Sequence, residues 1–499
     1  MKLSKEVPNS SSYQHLPAKV LQIGEGNFLR GFIDWMIQEM NKQGVFNGSV
    51  IAVQPTPHGK VLPKLAAQDY LYTAVLRGRK NGETVDYHEV ISSISGGINP
   101  YSDWPAMKRA VESADLKIIV SNTTEAGIVY QEEPYEGNVS PLSYPGKLAA
   151  LLHHRFTHYE GAGDKGLYIL PCELIEENGK KLKSIVHRVA EDWGYSEAFF
   201  EWLDHSNVFC DTLVDRIVTG FPRGQEAEYR ERLGYDDELI TVGEPYHLFA
   251  IDADERFKEI FPLHKAGLNV KWGGVQEQRD LKVGLLNGPH TLMTPVGYLA
   301  GADTVLDVMT TPSLRSFVEQ GFLDIQEALP MEEEVKKEFT SGVVDRFLNP
   351  YNKHFLLDIG MNSFFKYTSR LLPRLKIHAV RGELPETLVL ALAALLVYYK
   401  PIRTTEKGLI AERGEEEYET RENPVVNTLL LDTWQAIEEG RITILAAVRS
   451  ILSREDIWGE DLDAMNGLAE RVAAHIETIL IEGMAAAVKK VVGSGSVKS

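Results

Sequence analysis

A chain of 499 residues is too long for one ordinary core and implies two or three domains. With 43% hydrophobic and 25% charged residues it has the make-up of a soluble globular protein, and its net charge of −19 argues against nucleic acid or anionic membrane as a partner. Two cysteines, Cys172 and Cys210, exclude a disulfide framework or a cysteine-rich zinc site, and the polar stretch Met1 to Pro17 has no signal-peptide core, so a cytoplasmic protein is expected.

Past that lead-in, residues 19–23 read as a short apolar strand, followed by Gly24-Glu25-Gly26 and by helical apolar spacing from Phe28 to Met40. Residues 49–53 form a second strand at βαβ distance. A helix over 104–113 leads into a third strand over 115–120, and residues 166–170 continue the series. This alternation predicts a mainly parallel sheet covered on both faces. Further on, helical patterns take over: 281–301, 313–329, 332–347, 385–399, 424–439 and 462–490. The apolar run Leu388 to Tyr399 is too short to span a bilayer and reads as a buried helix. The expected fold is α/β, with a Rossmann-like N-terminal domain over 1–275 and a mostly α-helical C-terminal domain over 276–499. Residues 408–424 read as an exposed charged loop with Glu415-Glu416-Glu417 as a solvated face, and Gly493-Ser494-Gly495-Ser496 as a flexible tail.

Gly24-x-Gly26 between a strand and a helix suits a dinucleotide pyrophosphate. The glycines permit a tight turn and close backbone approach, and the helix N-terminus offers N–H groups to phosphate. Leu29 stands where a third glycine is usual, so a plain structural turn fits these residues as well. At the end of the second strand, where an acidic residue would hold the ribose of NAD, stands Gln54, an amide that neither repels nor pairs with a 2′-phosphate. No arginine follows closely, which favours NAD over NADP. Ser121-Asn122-Thr123-Thr124-Glu125-Ala126-Gly127 falls at the carboxyl edge of the sheet, where open α/β sheets bind ligands; a hydroxyl-rich capping turn has the same composition.

The chemical signal lies in Lys282-Val283-Gly284-Leu285-Leu286-Asn287-Gly288-Pro289-His290. Moving a hydride to or from a carbinol carbon also requires moving the hydroxyl proton and stabilising an alkoxide. The chain has no CxxC or HExxH with which to hold a metal for that work, and His153-His154 read as surface residues. A lysine serves instead if its pKa falls from about 10.4 towards about 7–8, as burial beside a cationic ring would cause. On an α-helix, positions five and eight residues on lie about 140° and 80° round from Lys282, within one wedge, and Pro289 is expected to kink the helix.

These segments carry a family resemblance. Gly24-Glu25-Gly26-Asn27-Phe28-Leu29-Arg30 resembles the GxGxFxR opening of the mannitol dehydrogenase family of polyol-specific long-chain dehydrogenases. Ser121 to Gly127 is similar to its S-x-T-x-x-E-x-G segment, and Lys282 to His290 to its K-x4-N-x2-H motif. The resemblance implies an NAD-dependent, metal-independent oxidoreductase with Lys282 as general acid/base and Asn287 and His290 as companions. It places Gly24, Gly26, Asn27, Phe28, Arg30, Gln54, Thr123 and Glu125 around the cofactor, with Arg30 open to a second reading as a helix-packing residue. Pro171 to Gly179 parallels the family's C-D-N-L-x-x-N-G, but Leu174 replaces the first asparagine, so only Asn178 carries over as an oxyanion donor. Val214-Asp215-Arg216-Ile217 matches V-D-R-I; Asp215 either tunes the lysine or joins Arg216 in holding a loop.

Within the family these segments look most like members that reduce hexuronates, so a small sugar-acid substrate is expected. An acidic protein then needs a local cationic pocket. Lys366 and Arg370, at i and i+4 of one helix, are the carboxylate-binding candidates, against the reading of a solvent-facing basic stripe. The alternative from another class is a non-catalytic dinucleotide-binding sensor, which has no use for the Lys282, Asn287 and His290 set.

Overall fold

The computed structural model describes residues 1–7, 13–405 and 408–495. The chain divides into two compact units: Met1–Arg77 with Thr84–Gln278, and Gly78–Glu83 with Arg279–Ser499.

In the first unit, β1 (Ala18–Ile23), β2 (Ser49–Val53), β3 (Ile94–Ile98), β4 (Ile118–Ser121), β5 (Tyr168–Pro171) and β6 (Val208–Phe209) form a six-stranded sheet ordered β3-β2-β1-β4-β5-β6. Every pairing in it is parallel. Strand alternation divides the core into two layers. Val20 joins Phe32, Ile33 and Met36 on one face, while Leu21 and Ile23 join Trp104, Met107 and Leu148 on the other. The strand order reverses between β1 and β4, which opens the ligand-binding crevice of a doubly wound sheet at their carboxyl ends.

Two smaller sheets in this region were not expected. Tyr72–Lys80 and Glu83–Ile91 are neighbours in one, beside Thr241–Gly243 and Val218–Gly220; Asp211–Asp215, Leu248–Asp252 and Val270–Trp272 make the other. Asn81-Gly82, both at positive φ (54° and 80°), link the first two strands, the turn chemistry that suits a right-twisted hairpin.

The second unit is built on the helix Glu386–Tyr398, buried from Thr387 to Tyr398, which packs against Gly288–Leu299 and Leu468–Glu482. Among the described residues no helix is long and apolar enough to cross a membrane. Two local expectations are corrected. Residues 408–424 contain a strand pair, Leu409–Arg413 with Glu416–Thr420, whose Leu409, Ala411, Tyr418 and Thr420 turn inward while the glutamates stay exposed. The Gly-Ser tail is helical as far as Gly495, because Ala487, Val488 and Val491 anchor the helix Met484–Gly495 and it propagates into weaker formers; Ser496 lies outside the described residues.

Candidate active site

The turn after β1 is shaped for close approach. Gly24 has φ +122°, and a Cβ there would lie 3.1 Å from the Asn122 carbonyl oxygen and 3.2 Å from Leu29. Gly26 is exposed, has nothing within 4 Å of its ideal Cβ, and starts a helix whose N-terminus carries no side-chain cap. An open glycine beneath uncapped helix N–H groups fits a dinucleotide pyrophosphate. Leu29, at the usual third-glycine position, is buried in the core; Gly31 has the tight packing instead, with Val218 methyls 3.0 Å from its ideal Cβ.

Arg30 works from behind. Its buried guanidinium donates to the Glu25 carbonyl, to Asn27 Oδ1 (2.6 Å) and to Thr241 Oγ1 (3.1 Å), which ties the glycine turn to the neighbouring sheet. Phe28 stacks on Phe32 at 5.0 Å, and Asn27 is exposed beside Gly26. Two carboxyls are buried here with one oxygen each unpartnered among the described residues: Glu25 in the turn and Asp34 on the same helix. Burial pushes both up to about 7. Gln54 follows β2 as expected, but it is buried and its Nε2 donates to Thr56 O at 2.7 Å, so it staples its own turn.

Beyond β4 the hydroxyl-rich segment is organised by a residue that the sequence reading passed over. Glu173, buried and with its pKa raised by desolvation, accepts from Thr123 N (2.8 Å), Thr123 Oγ1 (2.9 Å) and Ser121 Oγ (3.1 Å). Three donors in one short segment need an acceptor, and that was the available signal. The backbone of Glu125 lies in the turn Glu125–Gly127; its side chain is outside the described residues. Asn178, expected as an oxyanion donor, has its amide occupied within this unit. Nδ2 donates to Pro171 O (2.9 Å) and Glu173 O (3.1 Å), and Oδ1 accepts from Thr212 N (2.9 Å). The buried Asp215 ends the strand Asp211–Asp215, and the next residue, Arg216, donates to Gly31 O and Glu244 O, both at 2.8 Å, over the Trp35 ring.

In the second unit, Lys282 is followed by a π-helical turn, Val283–Asn287, before the α-helix Gly288–Leu299. The expected kink is thus a change of helix type. Gly288 donates to Val283 O, five residues back, and Pro289 falls at the start of the next helix, where its missing N–H costs least. Lys282, Asn287 and His290 are all half-buried. The His290 ring lies 4.5 Å from Phe347 and 4.8 Å from His354, and its buried Nε2 has no hydrogen-bond partner among the described residues. Desolvation first, then the charges of His354, Arg346, Arg370 and Lys366, hold His290 well below the ordinary histidine range. Arg370 and Lys366 are half-buried rather than fully solvated; Arg370 Nη1 donates to Thr291 Oγ1 (3.2 Å) and Lys366 Nζ to Ile359 O (2.7 Å). Burial lowers the pKa of both. His153 and His154, expected at the surface, are half-buried, with His153 stacked on Tyr195 at 3.7 Å and His154 bonded to Glu112 at 2.8 Å.

A doubly wound parallel sheet with an open glycine turn at its switch point, joined to a helical unit bearing a lysine and a cation-ringed histidine, is the fold of a dinucleotide-dependent dehydrogenase. The chain belongs to the mannitol dehydrogenase family: residues 18–264 match the mannitol dehydrogenase Rossmann domain and 275–480 the mannitol dehydrogenase C-terminal domain. It is an oxidoreductase. Altronate oxidoreductase of Halalkalibacterium halodurans is 46% identical, over 95% of this chain and 93% of that protein. The altronate oxidoreductases of Bacillus subtilis and Bacteroides thetaiotaomicron are each 40% identical, over 98% and 95% of this chain and 98% and 96% of theirs. The fold is that of Pseudomonas fluorescens mannitol 2-dehydrogenase, solved with NAD and D-mannitol (19% identity, TM-score 0.65, 99% of this chain and 100% of that one). A D-sorbitol dehydrogenase solved in substrate-free form aligns with TM-score 0.79 at 18% identity, over 98% of this chain and 100% of its own.

Proposed function

We propose that this chain interconverts D-tagaturonate and D-altronate with NADH and NAD, in hexuronate breakdown, using Lys282 as general acid and base. The observation that carries the substrate class is the ring of basic groups about His290 in a protein of net charge −19. Neutral polyols do not need such a ring, whereas a uronate carboxylate does. The names carried by the relatives point the same way.

NADH, when bound, supplies the hydride, and its pyrophosphate fits over Gly26. Lys282 Nζ delivers the proton to the carbonyl oxygen as negative charge develops there, and recovers it in the oxidation direction. The Asn287 amide donates to the same oxygen, a hydrogen bond that strengthens as the alkoxide forms. His290, kept neutral by burial and then by its cationic neighbours, is available to a substrate hydroxyl through Nε2. Lys366 and Arg370 hold the carboxylate. Asn178 and Glu173 act at one remove, by fixing the turns at the ends of β4 and β5; an amide already bonded to three backbone groups supports a site better than it serves a substrate.

NADH oxidation measured side by side with tagaturonate, fructuronate and fructose tests the substrate. Tagaturonate should give the highest kcat/KM, and a preference for fructose would refute the uronate assignment. Lys366→Ala and Arg370→Ala should each raise the KM for the uronate by about 10-fold or more, the loss expected for a charge-assisted hydrogen bond.

A further inference from the structure

Helix Glu333–Phe347 ends beside His290, with the Phe347 ring 4.5 Å from the imidazole. Its apolar grip on the core is partial: Val343 and Phe347 are buried, while Val335, Phe339 and Val344 are only half-buried. Polar ties complete the hold. Near the N-terminal end the buried Lys336 donates to Gln326 O (2.9 Å), and Thr340 Oγ1 accepts from Gln326 Nε2 (2.7 Å). At the other end the tie comes from far away in sequence. Asp345, two residues before Phe347, accepts from the Gly82 N–H with both carboxylate oxygens (3.2 and 3.1 Å). Its Oδ1 also lies 3.7 Å from Arg79 Nε, and Arg79 Nη2 donates to Gly82 O at 2.7 Å.

The turn Asn81-Gly82 is suited to this contact. In a two-residue hairpin turn the second N–H has no partner in the ladder, so the Gly82 donor can serve a residue outside the hairpin. The tip Gly78–Glu83 groups with the second unit, whereas the chain on either side of it belongs to the first. A donor held by a carboxylate makes a stronger bond than a neutral turn contact. We propose that Asp345 is a positioning residue for the reaction: clasping the hairpin tip, it keeps Phe347 over His290 and leaves Nε2 of the histidine available to the sugar. This rests on the reading of His290 as the partner of a substrate hydroxyl. Burial is the first cause that holds His290 below the ordinary histidine range, followed by the charges of His354, Arg346, Arg370 and Lys366. Loosening Phe347 admits water to the ring, and an imidazole that then takes up a proton can no longer accept through Nε2.

The test compares Asp345→Ala, Asp345→Asn and His290→Ala with the parent enzyme, using whichever of tagaturonate and fructose the parent prefers. For Asp345→Ala the sugar KM should rise about 10-fold with NADH affinity unchanged, and the acid limb of kcat/KM should move up in pH. Loss of a carboxylate would by its charge alone move that limb down, so the direction separates lost cover from lost charge. Asp345→Asn keeps an oxygen for the Gly82 N–H and should show both effects in reduced size, about 3-fold in KM. It carries the same two readouts should the alanine variant not fold. A lower Tm with KM and the acid limb unchanged overturns the proposal and leaves the clasp as a stabilising contact. A limb that moves down overturns it as well. If His290→Ala alters neither the KM nor the limb, the reading of His290 fails, and the inference with it.

Discussion

Lys282 opens the π-helical turn that Asn287 closes. A π turn hydrogen-bonds residues five apart, where an α-helix bonds residues four apart, so the five-residue step from the lysine to the asparagine spans one widened turn. The offset of about 140° expected on a regular α-helix is thereby reduced, and both side chains serve one face. Inserting one residue between them would turn the asparagine away from the lysine by about 100°, and such an insertion should lower kcat while leaving NADH affinity unchanged. Steady-state kinetics with a parallel NADH titration reads both quantities.

The two glycines of the cofactor turn should separate folding from binding. At Gly24, with φ +122° and the Asn122 carbonyl 3.1 Å from an added Cβ, alanine should destabilise the protein by about 1–3 kcal/mol and lower Tm. At Gly26, with nothing within 4 Å, alanine should leave Tm unchanged but weaken NADH by about 10-fold or more if the pyrophosphate lies over this glycine as proposed. Thermal melts and NADH fluorescence titrations of the two variants check the contrast; tight NADH binding by Gly26→Ala would show that the pyrophosphate lies elsewhere.

Stability should fall as pH rises through neutrality. Glu25 and Asp34, both raised by burial to about 7, retain protons in the folded protein that the unfolded chain releases near the ordinary values of 4.5 and 3.8. Their stabilising contribution is complete below those values and is lost as pH climbs through about 7, at up to about 1.4 kcal/mol per pH unit for each group. His290 acts on the other side. Its pKa is depressed by burial and by surrounding cations, so the unfolded chain takes up the proton first and stability declines as pH drops below about 6.5. Urea midpoints from about pH 5 to pH 8 measure the balance. Asp34→Asn should flatten the decline between about pH 5 and pH 7, and an unaltered slope would mean that Asp34 is already ionised in the native state.

If Lys282 performs the proton transfer as proposed, prolonged dialysis against EDTA should leave turnover intact. Among the described residues no group of three or more His, Cys, Asp or Glu side chains is arranged to hold a metal ion. Loss of activity on chelation, restored by zinc or manganese, would contradict the lysine mechanism.

Much of this organisation was legible because its signals are local. The strands of the parallel sheet are short, doubly buried apolar runs, and the long helices show 3.6-residue spacing. Glu83–Ile91 escaped because most of its residues face solvent, although Asn81-Gly82 is among the strongest hairpin signals a sequence offers. Leu409–Arg413 and Glu416–Thr420 were hidden by the charged residues about their turn, and the second strand turns only alternate residues inward. Within the site the residue types could be named, but their engagements could not. Whether Gln54 faces a ribose or its own turn, and whether the Asn178 amide is available or committed to Pro171, Glu173 and Thr212, depends on contacts distant in sequence.

The most direct test of the central claim is turnover of tagaturonate by Lys282→Ala, with NADH binding measured on the same preparation. The account predicts a fall in kcat of about 1,000-fold with NADH affinity unchanged, the loss expected when a general acid is removed from an otherwise intact site. Turnover within a few-fold of the parent enzyme would contradict it.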